Sequence, residues 1–178
     1  GHLAFAALMR AKEKGAKLVV VDPRRTKTVE KADIWVQLRP GTDGALALGL
    51  LNVIIEENLY DKNFVDKWCL GFDRLKELVR KWTPQRVSEV TRVPVEIIVE
   101  VARLYATSKP AHLTWGVATC QLGGGNNGAV KSAVLGKCIL RAVTGNLGIA
   151  GGESFMDHPY HLNWIDNLKW ALLLNHPD

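Results

Sequence analysis

Apolar residues open the chain at helical spacing. Ala4, Ala7, Leu8 and Ala11 fall on one face, which predicts a helix over 4–14, and Gly15 follows where a left-handed C-terminal cap is wanted. The pattern then changes. Leu18 to Val21 is an unbroken apolar run rich in β-branched valines, which predicts a short strand buried on both faces. Asp22-Pro23 ends it, because proline has no N–H to give a central ladder. Residues 32–38 alternate, with Ile34, Val36 and Leu38 set against Asp33, Trp35 and Gln37, so a second strand with one less-buried face is expected. Pro40-Gly41 makes a turn, and Thr42 or Asp43 is placed to cap the next helix. That helix, over 44–57, is apolar nearly all round and is expected to be buried.

The middle third is more polar. Short helices are predicted over 62–69 and 72–82, broken at Gly71, and Thr83-Pro84 is a helix start with a capping hydroxyl and proline at the first helical position. Over 94–107, Ile97, Ile98, Val101, Leu104 and Tyr105 form one stripe, so that helix packs one face down. Lys109-Pro110 breaks it, and 111–115 is expected as a third strand. A glycine-rich stretch, Gly116 to Gly128, leads into a helix over 129–144 that is again apolar nearly all round. The last 25 or so residues show no clear period, although 163–174 has the composition of a helix.

Helix, short turn, apolar strand, repeated, is the cadence of an α/β domain with a mainly parallel sheet. At 178 residues and 47% hydrophobic content the chain has the makings of one globular domain, and disorder is excluded. No apolar run reaches membrane-spanning length and no basic-then-apolar leader opens the sequence. Cys69, Cys120 and Cys138 are odd in number and widely spaced, so they suggest neither a disulfide framework nor a CxxC metal pair. The formal charge of +5 is mild and spread out, which argues against nucleic acid and leaves room for a single anionic ligand.

Ligands of open α/β sheets bind outside the carboxyl ends of the strands. Three such ends carry polar or glycine-rich chemistry here. After the first strand come Asp22, Arg24, Arg25 and Thr26: the carboxylate suits ribose hydroxyls or a base edge and the arginines suit phosphate, or Asp22 simply caps the loop beside solvated arginines. After the second come Gly41, Thr42 and Asp43, where the acid either caps the helix or accepts from adjacent N–H donors such as those of guanine. After the third comes the Gly116–Gly128 loop, able to bring backbone amides to an anion or to serve only as a turn. Neither GxGxxG after the first strand nor GxxxxGK[ST] is present. Cys120 reads as a small buried apolar residue, and His158 and His161, separated by Pro159, as surface or packing histidines. No Ser-His-Asp or paired-carboxylate arrangement is found, so no catalytic residue and no metal ligand is assigned.

The order of motifs carries more than any one of them. Gly15-Ala16-Lys17-Leu18-Val19-Val20-Val21-Asp22-Pro23-Arg24-Arg25-Thr26 comes first, followed by Lys31-Ala32-Asp33, Leu38-Arg39-Pro40-Gly41-Thr42-Asp43-Gly44-Ala45-Leu46 and Ile55-Glu56-Glu57-Asn58-Leu59-Tyr60-Asp61. Trp115-Gly116, Leu140-Arg141-Ala142-Val143-Thr144-Gly145-Asn146-Leu147-Gly148 and Gly151-Gly152 complete the series. Over about residues 10–153 this resembles the large subunit of the molybdopterin-guanine-dinucleotide oxidoreductases, the dimethyl-sulfoxide-reductase type with its formate dehydrogenase and nitrate reductase members.

The resemblance implies a Rossmann-like three-layer α/β domain, a short mainly parallel sheet flanked by helices and lacking the family's first strand. Residues 1–152 would form the molybdopterin-guanine-dinucleotide-binding domain and 153–178 a tail outside the pattern. By that likeness Asp22, Arg24 and Thr26 would border the guanosine, Gly41 and Asp43 would meet the guanine edge, and Gly116 and Gln121 would lie along the pyrophosphate and pterin. The implied cofactor is molybdopterin guanine dinucleotide with molybdenum or tungsten, one arm of a bis-pterin set, and a 4Fe-4S cluster is expected only in an N-terminal part not matched here. The implied partners are the remainder of the same catalytic subunit and an iron–sulfur electron-transfer subunit. On this view the chain is a fragment of an enzyme and not active alone. A different class of protein, a free-standing guanine-nucleotide or assembly module without catalysis, is the alternative.

Overall fold

The computed structural model describes residues 2–114, 116 and 128–153. Its elements follow the sequence pattern closely. Helix α1 spans His2–Glu13 and strand β1 Val19–Val21; a 3-10 turn at Val29–Lys31 precedes β2 at Ile34–Val36. Then come α2 (Asp43–Glu56), α3 (Lys62–Trp68), α4 (Phe72–Val79), α5 (Pro84–Thr91), α6 (Val95–Thr107) and α7 (Gly128–Val143). Gly15, at φ +94°, takes the left-handed turn after α1 that a side chain would resist.

Strands β1 and β2 pair in parallel, with Val19 opposite Ile34, Val20 opposite Trp35 and Val21 opposite Val36. The Asp22 N–H donates to the Val36 carbonyl at 3.2 Å and carries the pairing one residue further. Among the described residues this two-stranded ladder is the whole sheet. Two expectations are corrected here. Strand β1 is not buried on both faces: Val19 and Val20 are half-buried and Val21 is 44% exposed, because β2 is its one ladder partner among the described residues. The third strand is not formed over 111–114, whose backbone groups are taken by side chains instead of a neighbouring strand.

Helix α2 is the centre of the core. Leu46, Ala47, Leu50, Leu51, Val53, Ile54 and Ile55 are all buried, as its all-round apolar character requires. Helices α4, α5, α6 and α7 pack around it. On α6 the buried positions are Ile98, Val101, Ala102 and Ala106, one step round from the predicted stripe, with Ile97 and Tyr105 flanking. Helix α7 is one-sided rather than apolar all round in its burial: Ala133, Leu140 and Val143 face in, while Leu135 is 61% exposed and Cys138 is exposed. Capping matches the sequence at Thr83, whose Oγ1 accepts from the Arg86 N–H at 3.4 Å, and Asp61 caps α3 by accepting from the Phe64 N–H at 3.0 Å. Among the described residues no helix is long and apolar enough to cross a membrane.

Close approach fixes the direction of α7 against α2. A Cβ on Gly44 would lie 2.8 Å from Ser132 Cβ, and one on Gly136 would lie 2.6 Å from Ala47 Cβ. Further on, the Asp61 N–H beyond α2 donates to the Val143 carbonyl at the end of α7, 2.8 Å away. The pairs 44 with 132, 47 with 136 and 61 with 143 rise together, so α2 and α7 run parallel and begin at the same end of the molecule.

Candidate functional site

That shared end is where the strands finish. Parallel pairing sets Asp22 beside Gln37 at the carboxyl ends of β1 and β2, and the chain enters α2 only six residues later at Asp43. The start of α7 lies alongside through the Gly44–Ser132 contact. Two strand ends and two helix N-termini therefore gather on one side.

The loop after β1 is tied down. Asp22 Oδ1 accepts from the Arg24 N–H at 2.8 Å, so the carboxylate caps its own turn. Arg24 and Arg25 are exposed. Thr26 Oγ1 accepts from the Val29 N–H at 3.3 Å and starts the 3-10 turn, a local structural task. Trp35 of β2 and Gln37 just beyond it, both placed by the sequence pattern on the less-buried face, hold this loop from the side. Trp35 Nε1–H donates to the Asp22 carbonyl at 2.8 Å, and Gln37 Nε2 donates to the Pro23 carbonyl at 3.1 Å. Neither was singled out from the sequence; the alternation gave their face but not their partners.

The turn before α2 is built around Gly41, exposed at φ +81° with open space where a Cβ would be. Thr42 occupies the N-cap position, yet its hydroxyl donates backward to the Arg39 carbonyl at 2.6 Å and does not cap the helix. Asp43 is the first residue of α2, half-buried, with its backbone at the positive end of the helix dipole.

Gly116 is exposed and is approached by a different route. The Ala111 N–H donates to Asn146 Oδ1 at 3.0 Å, beyond the end of α7. The Leu113 N–H donates to Glu153 Oε1 at 2.9 Å, and its carbonyl accepts from Arg141 Nη2. Ala111 is thus tied to Asn146, beyond the end of α7, and Leu113 to Arg141 in the last turn of α7 and to Glu153 after it, so the segment is held at the C-terminal end of α7. Gln121, Cys120, His158 and His161 lie outside the described residues.

Ion pairs elsewhere are structural. Asp33 Oδ2 accepts from Lys12 Nζ at 2.5 Å and from the Leu18 N–H at 2.8 Å, which holds its carboxyl below the usual range and ties α1 to the starts of both strands. Lys109, at 2.6 Å, and the Phe64 N–H together hold Asp61 low. Burial pushes the Tyr105 hydroxyl and the half-buried Cys69 thiol up. Among the described residues no three His, Cys, Asp or Glu side chains could hold a metal.

The groups gathered at the shared end have chemistry suited to holding a ligand. Two carboxylates can accept from ribose hydroxyls or from the paired N–H donors of a base, exposed arginines can meet phosphate, and glycines without Cβ atoms let a ligand come close to backbone amides.

Comparison with known proteins bears on this geometry. A family model described as Molybdopterin oxidoreductase matches residues 3–156. Acetylene hydratase of Syntrophotalea acetylenica is 47% identical over 149 residues, which is 84% of this chain and 20% of the relative. The alpha subunit of a formate dehydrogenase from Methanocaldococcus jannaschii is 42% identical over 144 residues, 81% of this chain and 21% of the relative. The solved structure of acetylene hydratase from Pelobacter acetylenicus superposes with a TM-score of 0.74 at 47% identity, covering 80% of this chain and 19% of that one. The chain spans about one fifth of the length of the curated relatives it matches.

Proposed function

The chain belongs to the molybdopterin oxidoreductase family, and from that premise we propose that it is the domain that holds one guanine dinucleotide arm of the bis-pterin cofactor in a larger catalytic subunit. The observation that carries this reading is the convergence of Asp22, Asp43 and the N-terminal ends of α2 and α7 on one side of the domain.

The residues fit such a group. Gly41 and Gly116 are exposed and present no side chain, and a Cβ at Gly41 would meet nothing. Asp43 supplies a carboxylate for the N1–H and N2–H donors of guanine; Asp22 supplies one for the ribose, on a turn already fixed by Arg24, Trp35 and Gln37. Arg24 lies exposed beside it for phosphate, Thr26 shapes the loop, and Gly116 with Gln121 would line the pyrophosphate and pterin. When bound, the metal of the cofactor, molybdenum or tungsten, supplies the oxygen-atom, hydride or electron transfer. The residues of this chain bind and orient. They do so within a Rossmann-like three-layer arrangement that includes the β1–β2 pair, with 1–152 the binding domain and 153–178 its tail.

On this reading the partners are the rest of the same catalytic subunit and an iron–sulfur electron-transfer subunit, with any 4Fe-4S cluster held outside the matched span. The relatives named above include a hydratase and a formate dehydrogenase, two different reactions, which supports a binding role over a reaction-specific one for the span they share with this chain. The test is amide hydrogen exchange with and without guanosine diphosphate. Protection is expected over 22–26 and 41–46 with guanosine diphosphate and much less with adenosine diphosphate. Protection that is equal for the two nucleotides, or that lies elsewhere, refutes it.

A further inference from the structure

Leu113 stands where a strand ladder would normally fix the chain, yet its two backbone groups are both held by side chains. Its N–H goes to Glu153 Oε1 at 2.9 Å and its carbonyl to Arg141 Nη2. The two side chains also pair with each other: Arg141 Nη2 lies 3.2 Å from Glu153 Oε1, with the side chains 8% and 12% exposed. His112 Nδ1 reaches the same Glu153 oxygen at 3.2 Å from the solvent side. Glu153 is itself fixed, its N–H on the Asn146 carbonyl at 2.8 Å and its carbonyl accepting from the Gly148 N–H at 2.7 Å. A Cβ on Gly152 would meet the Asn146 carbonyl oxygen at 2.5 Å, so the turn that delivers Glu153 leaves no room for another residue there.

Burying a charge pair is costly, and hydrophobic residues of similar volume often do as well or better for stability. A carboxylate and a guanidinium used on one peptide unit, one on its N–H and one on its carbonyl, do something hydrophobic residues cannot: they set its register and orientation. Register here decides where Gly116 sits, three residues on. A slip by one residue would turn every side chain of the segment to the other face and move the glycine along the chain direction by one strand rise.

We infer that Arg141 and Glu153 form a positioning clamp, a side-chain substitute for a neighbouring strand, which places Gly116 against the phosphate end of the bound dinucleotide. This rests on the nucleotide reading above and goes beyond it by assigning the phosphate end of recognition to two residues that touch no ligand.

The experiment compares guanosine with guanosine diphosphate, since a fault at the phosphate end affects the second and spares the first. The unmodified chain, Glu153→Gln, Glu153→Leu and Arg141→Met are titrated with both, and amide exchange at Leu113 is followed without ligand. Glu153→Gln keeps an acceptor for the Leu113 N–H and is expected to keep most of the protection and most of the preference for the diphosphate. Glu153→Leu is expected to expose the Leu113 amide and to cut that preference about tenfold, with guanosine affinity unchanged. Arg141→Met keeps the stem and removes the donors; it is expected to behave as Glu153→Leu does and decides the matter if that variant does not fold. Unchanged exchange and unchanged preference in either variant overturn the clamp, as does an equal loss of both ligands. An unmodified protein that binds guanosine diphosphate no better than adenosine diphosphate overturns instead the reading on which the clamp rests.

Discussion

Replacing Gly44 with alanine tests how the two helix N-termini are held together at the candidate site. The new Cβ would lie 2.8 Å from Ser132 Cβ and 3.3 Å from the Ser132 backbone carbon, and would also meet Oγ of the same residue. Rotating the serine hydroxyl relieves the last contact but neither of the first two. Carbon atoms settle near 3.5–4.0 Å, so the start of α2 must lift from α7 by about 1 Å. Overpacking of this kind costs about 1–3 kcal/mol. Alanine's better helix propensity returns about 1 kcal/mol at most, and less in a first turn. A net loss of about 1–2 kcal/mol is expected in urea unfolding, with a weaker affinity for guanosine diphosphate because Asp43 moves with the helix end. Ser132→Gly should cost about 0.5 kcal/mol alone and should recover most of the loss when combined with Gly44→Ala, since the alanine methyl then fills the space the serine leaves. Costs that simply add in the double variant, or a Gly44→Ala protein more stable than the original, would refute the packing argument.

Other outcomes follow from single contacts. Trp35→Phe removes the 2.8 Å bond to the Asp22 carbonyl while keeping a ring; about 1 kcal/mol of stability should be lost, and guanosine diphosphate affinity should fall several-fold as the Asp22 turn loosens. An affinity equal to that of the unmodified protein would count against preorganisation of that turn. Asp61 is held below its ordinary value by Lys109 and then by the Phe64 N–H. Its unfolded value is about 3.9, and because the folded value is lower, its contribution is present in full well above that pH and is lost as the pH falls beneath it. Asp61→Ala should therefore cost about 1–2 kcal/mol at pH 7, from the helix cap and the partly exposed ion pair together, and the gap between the two proteins should close on titration below pH 4. A gap that is constant with pH would contradict the assignment.

Much of this architecture was legible in the sequence because local and global signals agree. The change from helical spacing to an apolar run at Leu18 and the alternation over 32–38 located β1 and β2, and the all-round apolar helix at 44–57 turned out to be the centre of the core. The arrangement of the candidate site was legible in outline, since Asp22 and Gly41-Thr42-Asp43 follow strands that pair in parallel. Periodicity could not say which backbone groups meet which side chains. Residues 111–114 are apolar enough for a strand, but Arg141 and Glu153 take the bonds a ladder would have used. The visible signal was an arginine in the last turn of a mainly apolar helix and a glutamate just after Gly151-Gly152. Pairing them across twelve positions needs the tertiary fold. The exposure of Val21 has the same origin, because burial on the second face depends on neighbours that the run of valines does not encode.

The most direct test of the central claim is the nucleotide preference of the chain and its dependence on one carboxylate. Guanosine diphosphate and adenosine diphosphate are titrated in turn into the unmodified protein and into Asp43→Ala. A base edge read through two N–H donors by a carboxylate discriminates by about 1–3 kcal/mol, so the account predicts a preference for guanine of about fivefold or more that disappears in the variant. Equal binding of the two nucleotides, or a guanine preference that survives loss of the Asp43 carboxylate, would contradict it.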